Sequence, residues 1–87
     1  MDRFEFRSVL AAYLDGMHCR LSGCEIGTRA VDDVYQRVHM VTFYEPGGAL
    51  VTVNAPLEDY LETFDDLTAR VVARRIAVWL AKKEQSA

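Results

Sequence analysis

Two β-prone runs flank Glu45-Pro46-Gly47-Gly48, and this arrangement restricts the middle of the chain more than any other feature. Val34 to Tyr44 is rich in valine, aromatics and threonine, and Ala49 to Asn54 resumes the same character. Proline presets φ at the first central position of a turn and glycine accepts positive φ at the second. A type II or related tight turn therefore joins the two runs as a β-hairpin. Upstream, residues 24–31 alternate, with Cys24, Ile26, Thr28 and Ala30 on one side and Glu25, Gly27 and Arg29 on the other. That period of two predicts a further strand with one wet face, linked to Val34 by the turn-forming pair Asp32-Asp33.

Helical patterns lie on either side of these strands. Asp2 followed by Glu5 has the spacing of an N-cap and its reciprocal partner. Phe6, Val9, Leu10, Tyr13, Leu14, Met17 and Leu21 then recur every three or four residues, and Gly23 offers a stop. Gly16 interrupts this period at a cost of roughly 1 kcal/mol against alanine. A second reading therefore ends the helix at Asp15 and leaves Met17, Cys19 and Leu21 alternating in a strand. Residues 57–64 form a short helical turn or a connector, and Asp65 or Asp66 caps a last helix from about Leu67 to Lys83. The expected fold is α+β: a two-layer α-β-β-β-α domain over residues 1–87, with the N- and C-terminal helices on one face of a three-stranded antiparallel sheet.

A chain of 87 residues suffices for one domain, and a net charge of −3 does not by itself call for nucleic acid or an anionic membrane. The start, Met1-Asp2-Arg3-Phe4-Glu5-Phe6-Arg7, is charged throughout and leads into no apolar core of a signal peptide. The longest apolar run falls far short of the ~20 residues that cross a bilayer. The expectation is a cytoplasmic protein that makes no membrane contact and keeps Cys19 and Cys24 reduced.

Chemistry-bearing motifs are weak. His18, Cys19 and Cys24, with His39 further on, are ligand types that zinc accepts, but the spacing matches no standard site. His18 and Cys19 are adjacent and point apart, so buried structural cysteine is the better reading. Ser8, Ser22 and Ser86 lack a nucleophile elbow, and Gly47-Gly48 after a proline is turn chemistry, not a phosphate cradle. No catalytic residue, metal ligand or cofactor is assigned, and an enzyme is not expected.

The last helix holds the informative features. Ala69, Val72, Ala73, Ile76, Trp79 and Leu80 share one arc suited to the sheet, while Leu67, Val71 and Val78 fall on the far side between Arg74 and Arg75. A helix on a sheet needs one apolar stripe. The second stripe calls for another neighbour, either the N-terminal helix lying alongside or a partner surface, unless these are isolated exposed apolar residues, which are normal on a protein surface. Charge is segregated as well: Glu58, Asp59, Glu62, Asp65 and Asp66 give −5 before the helix, and Arg70, Arg74, Arg75, Lys82 and Lys83 against Glu84 give +4 within it. Acids before a helix and bases towards its end suit the helix dipole without further purpose.

These features lead to a non-catalytic protein-binding domain whose partner is a foreign protein or a second copy. Its expected contacts are Leu67, Val71, Arg74, Arg75 and Val78, together with Glu58, Asp59 and Glu62. Compact acidic domains of this type suit small inhibitors or antagonists, such as phage anti-defence proteins (anti-CRISPR-like) and antitoxins. The rival is a nucleic-acid-binding module using Arg70, Arg74, Arg75, Lys82 and Lys83. The order of elements is similar to that of double-stranded-RNA-binding domains. Those domains carry a lysine cluster at the start of the last helix, where this chain has Asp65-Asp66-Leu67-Thr68, and acids there repel phosphate.

Overall fold

A computed structural model describes residues 3–57 and 66–85. Helix α1 spans Arg3–Asp15, strands β1, β2 and β3 span Arg20–Val31, Val34–Tyr44 and Leu50–Pro56, and helix α2 spans Asp66–Gln85. The strands form one antiparallel sheet in the order β1-β2-β3, giving the α-β-β-β-α order read from the sequence. Among the described residues no helix is long and apolar enough to cross a membrane.

Both helices pack on one face of the sheet. Along β2, His39, Val41 and Phe43 alternate towards them: His39 stacks on Phe6 of α1 with ring centroids 5.3 Å apart, and Phe43 meets Trp79 of α2 edge-on at 6.1 Å. Leu10 and Leu14 from α1, Ala69, Val72 and Ile76 from α2, and Val53 and Ala55 from β3 complete this core. Burying a side chain such as Ile76 or Leu14 contributes about 1.5–3 kcal/mol. The opposite face is not uniformly wet. Val38 and Met40, which alternate away from the helices, are buried outside the main cluster; past the end of β3, Leu57 is buried too, and its N–H is bonded to the Arg37 carbonyl at 3.2 Å.

Helix α1 ends as the second sequence reading has it. His18 N–H bonds the Asp15 carbonyl (3.0 Å) and Cys19 N–H the Leu14 carbonyl (2.9 Å), with His18 at φ 61°. This is a Schellman cap whose left-handed position holds histidine instead of the usual glycine, sealed by the apolar contact of buried Leu14 and Cys19. Met17 and Cys19 thus belong to the cap, and Gly23, the other candidate stop, lies inside β1. Strand β1 begins four residues before its expected start, because a bulge between Leu21 and Gly23 shifts the pairing. Leu21 and Cys24 are an odd number apart, yet both pack against the core. Arg7 of α1 donates to the Ser22 carbonyl at the bulge (2.8 Å).

The two hairpins use different turns. Asp32 and Asp33 both have positive φ (53° and 66°) in a two-residue loop between paired Val31 and Val34, the type I′ geometry that matches strand twist. At the second hairpin, Gly48 N–H bonds the Glu45 carbonyl (2.8 Å), but positive φ falls on Gly48 (96°) and not on Gly47. That corrects the type II expectation, which needs positive φ at the second central residue. The arrangement is a tight turn followed by a left-handed glycine. Strand β3 runs to Pro56 rather than Asn54, and Pro56 pairs with Val38. The β1–β2 hairpin continues past that pair, carrying Val34 and Tyr35 as an exposed tip. The Asp2 cap and residues 58–65 lie outside the described residues.

Candidate interaction groove

The position of α2 follows from its ends. At its N-terminal end, the Tyr13 hydroxyl of α1 donates to Asp66 Oδ1 (3.2 Å) and accepts from Arg70 Nε (3.1 Å), and Arg70 also faces Asp66 at 3.4 Å. The Tyr13 hydroxyl, and then the Asp66 carboxylate, hold the Arg70 guanidinium above its ordinary pKa. At the C-terminal end, Lys83 Nζ donates to both carboxylate oxygens of Glu45, 2.7 Å to Oε2, and lies 5.2 Å from the Trp79 ring. The helix is therefore tied to α1 at one end and to the β2–β3 turn at the other.

This placement decides which flank of α2 has a neighbour. Tyr13 of α1 and Met17 of its C-terminal cap face the side of α2 that carries Arg70, Ala73, Arg74 and Ala77. The N-terminal helix therefore does not cover Leu67, Val71 and Val78, contrary to the simpler of the two explanations offered for that second stripe. Val71 and Val78 instead line a groove of 520 Å³ between α2 and β3. Trp79 adds to its apolar wall, Val53 to Pro56 form the strand side, and Arg74, Arg75 and Lys82 supply its charge. Val78 and Leu67 are 49% and 54% exposed, so neither is consumed by the core. By helical phase Leu67 lies one turn before Val71 on the same line.

The expected site residues thus divide three ways. Val71, Arg74, Arg75 and Val78 come together in the groove, joined by Lys82 from the rival nucleic-acid set. Arg70 and Lys83 of that set are engaged within the fold, by Tyr13 and Asp66 and by Glu45. Glu58, Asp59 and Glu62 lie outside the described residues. Sequence reasoning missed Trp79 as a groove residue and the whole strand side, Val53 to Pro56. The only signal for Trp79 was its place next to Val78, at the border of the two arcs. For β3 there was none, because which strand edge a helix borders is decided by tertiary packing.

The candidate metal residues scatter. His18 sits exposed in the α1 cap, Cys19 is buried, Cys24 pairs with Val41, and His39 is buried beneath Phe6. Among the described residues no three of His, Cys, Asp or Glu are grouped to hold a metal ion, and both cysteines are free thiols. Burial, and secondarily the Glu45 charge, raises the Cys19 thiol pKa, which makes it a poor nucleophile. No protein-family model, curated protein or solved structure matches the chain.

Proposed function

We propose that this is a non-catalytic protein-binding domain that engages its partner through the groove between α2 and β3. The observation that carries the reading is an apolar helix stripe (Leu67, Val71, Val78) that α1 leaves uncovered and that opens into a 520 Å³ groove. An apolar floor with arginine at its margin has the composition of an interface core and rim. A small domain with this one feature suits an inhibitor or antagonist of the anti-CRISPR-like or antitoxin type, which acts by occupying a surface on its target. Glu58, Asp59 and Glu62 are proposed as further partner contacts on the ground of their charge alone.

The nucleic-acid reading receives less support, since Arg70 and Lys83 are held by partners within the fold and Asp66 stands at the start of the helix. Val71→Asp tests the protein-binding reading. The variant is expected to lose association, read as solution mass by light scattering over a tenfold concentration range and as recovery of cross-linked partner. Unchanged mass and recovery in a folded Val71→Asp protein would exclude the groove. Binding of a DNA or RNA duplex that weakens steeply with salt would favour the rival.

A further inference from the structure

We infer that two copies of the chain join through the outer edge of β1, antiparallel about a two-fold axis at Gly27, to make one continuous sheet. The contact is separate from the groove and leaves it to a foreign partner. Among the described residues β1 pairs only with β2. The Arg37 carbonyl bonds Leu57 N–H on the β3 side, so Arg37 and Thr28 opposite it form a pair without mutual main-chain bonds. By alternation, Cys24, Ile26, Thr28 and Ala30 direct N–H and C=O outward, while Glu25, Gly27 and Arg29 bond to β2. The Thr28 carbonyl is met at that edge by the neighbouring side chain, Arg29 Nη1, at 2.8 Å. Proline and lysine are devices that keep another strand off such an edge, and Gly23 to Val31 contains neither.

The chain itself supplies the matching strand. Antiparallel pairing sets only residues of one phase opposite each other, so the axis passes through a residue and not between two. The regular stretch of β1 is bounded by the bulge before Gly23 and the turn after Val31, and its middle residue is Gly27. With the axis there, Ile26 exchanges main-chain bonds with Thr28 of the second copy, and Cys24 with Ala30. The same register sets Glu25 opposite Arg29 of the second copy on both sides of the axis. These are the only charged residues of the stretch, so no other axis position pairs opposite charges. Both are exposed; among the described residues Glu25 has no hydrogen-bond or ion-pair partner, and Arg29 bonds only a neutral carbonyl. Their charges are uncompensated within one copy and complementary between two.

Both sides of the sheet agree with this axis. A Cβ at Gly27 would stand 2.6 Å from Met40 Cε and 3.9 Å from Arg29 Nη1. The bare glycine thus lets the Met40 methyl and the Arg29 head lie at the axis, where they meet the second copy. On the helix side, Arg7 reaches the Ser22 carbonyl, so its flank of α1 faces β1. Phe4 shares that flank by helical phase and is 78% exposed. It lies two residues before Phe6, which stacks on His39 opposite Ile26. Phe4 is therefore level with the axis and meets Phe4 of the second copy.

The test is the solution mass of the intact protein by light scattering over a tenfold concentration range, together with hydrogen exchange in β1. A dimer is expected, with the amides of Ile26, Thr28 and Ala30 slowed as it forms and those of Gly27 and Arg29 little changed. Glu25→Arg and Arg29→Glu each set like charges opposite one another and should each weaken the dimer about tenfold or more. The double variant Glu25→Arg, Arg29→Glu exchanges the two charges and should restore the dimer, an outcome that neither misfolding nor a contact elsewhere produces. Failure of a folded double variant to recover overturns the register at Gly27, and exchange in the wild type decides where a variant does not fold. A monomer at every concentration overturns the proposal, as does a dimer that both single variants leave intact. A dimer that Val71→Asp dissociates belongs to the groove, which overturns the β1 edge and keeps the groove reading. Dimer mass retained by Val71→Asp, with recovery of a cross-linked partner lost, supports both readings at once.

Discussion

Lys83, near the end of α2, closes onto Glu45, the residue that opens the β2–β3 turn 38 positions earlier in the chain. The Glu45 side chain is only 11% exposed, while that of Lys83 is half exposed, so the carboxylate depends on this ammonium more than the ammonium depends on it. Surface ion pairs contribute about 0–1 kcal/mol and fully buried ones lose 3–5 kcal/mol when one partner is removed. This pair lies between those limits. Lys83→Ala is expected to lower stability by about 1–2 kcal/mol, measured as the urea midpoint, with a smaller loss at high salt because screening already weakens the wild-type pair.

His18, Asp32 and Asp33 sit in left-handed backbone that glycine tolerates better, and two of them make clean tests. His18 closes the Schellman cap at φ 61°, and Asp33 is the second residue of the type I′ turn at φ 66°. A side chain in that region costs roughly 1–2 kcal/mol, partly offset by the larger chain entropy that glycine loses on folding. His18→Gly and Asp33→Gly should therefore each stabilise the protein by about 0.5–1 kcal/mol, and Asp33→Gly creates the Asp-Gly pair that type I′ turns favour. Thermal melts of the two single variants and of the double variant, whose sites share no element, provide the check.

What the sequence revealed and what it withheld have physical reasons. Val34 to Tyr44 was legible because its β-branched and aromatic residues fit only a half-buried strand. The end of α1 was ambiguous because Leu21 lies at a helical spacing from Leu14 and Met17 and at a strand spacing from Met17 and Cys19, and the bulge at Ser22 then breaks the alternation between Leu21 and Cys24 that would have marked β1. The outer burial of Val38 and Met40 was hidden, since alternation alone assigns that face to water. Half of the groove was readable, because Leu67, Val71 and Val78 break the single stripe of α2. Its other half belongs to β3, and no local pattern in Leu50–Pro56 says that a helix flank lies beside its edge.

The two thiols differ in access. Cys19 is buried, donates to the Met17 carbonyl at 3.6 Å, and has its pKa raised by burial and then by Glu45. Cys24 is partly exposed. Alkylation of native protein with iodoacetamide should label Cys24 well before Cys19, with peptide mass spectrometry locating the adduct. Equal rates would mean that the α1 cap opens as often as Cys24 is reached.

His39 is buried under Phe6, and burial lowers its pKa below the ordinary histidine value. The folded state thus binds fewer protons than the unfolded chain at mildly acidic pH. Stability is full above the unfolded value of about 6.5 and is lost as pH falls from there towards the folded pKa. The slope in that window approaches about 1.4 kcal/mol per pH unit. Urea midpoints between pH 7.5 and 5 should fall for the wild type and fall less for His39→Leu, which cannot take up a proton.

Ile76 and Val78 stand two residues apart on α2 and serve different ends. Ile76 is fully buried against the sheet, whereas Val78 is 49% exposed at the groove. Ile76→Ala removes buried apolar volume and should cost about 2–4 kcal/mol. Val78→Asp deletes no core contact of that kind, and the new carboxylate stands four residues from both Arg74 and Lys82, the spacing at which opposite charges support a helix. Its stability should stay within about 0.5 kcal/mol of wild type. Paired with lost association in the same Val78→Asp protein, unchanged stability separates a residue kept for a partner from one kept for the fold. A loss of stability comparable to that of Ile76→Ala would instead make the stripe part of the core and remove the ground for the proposed interface.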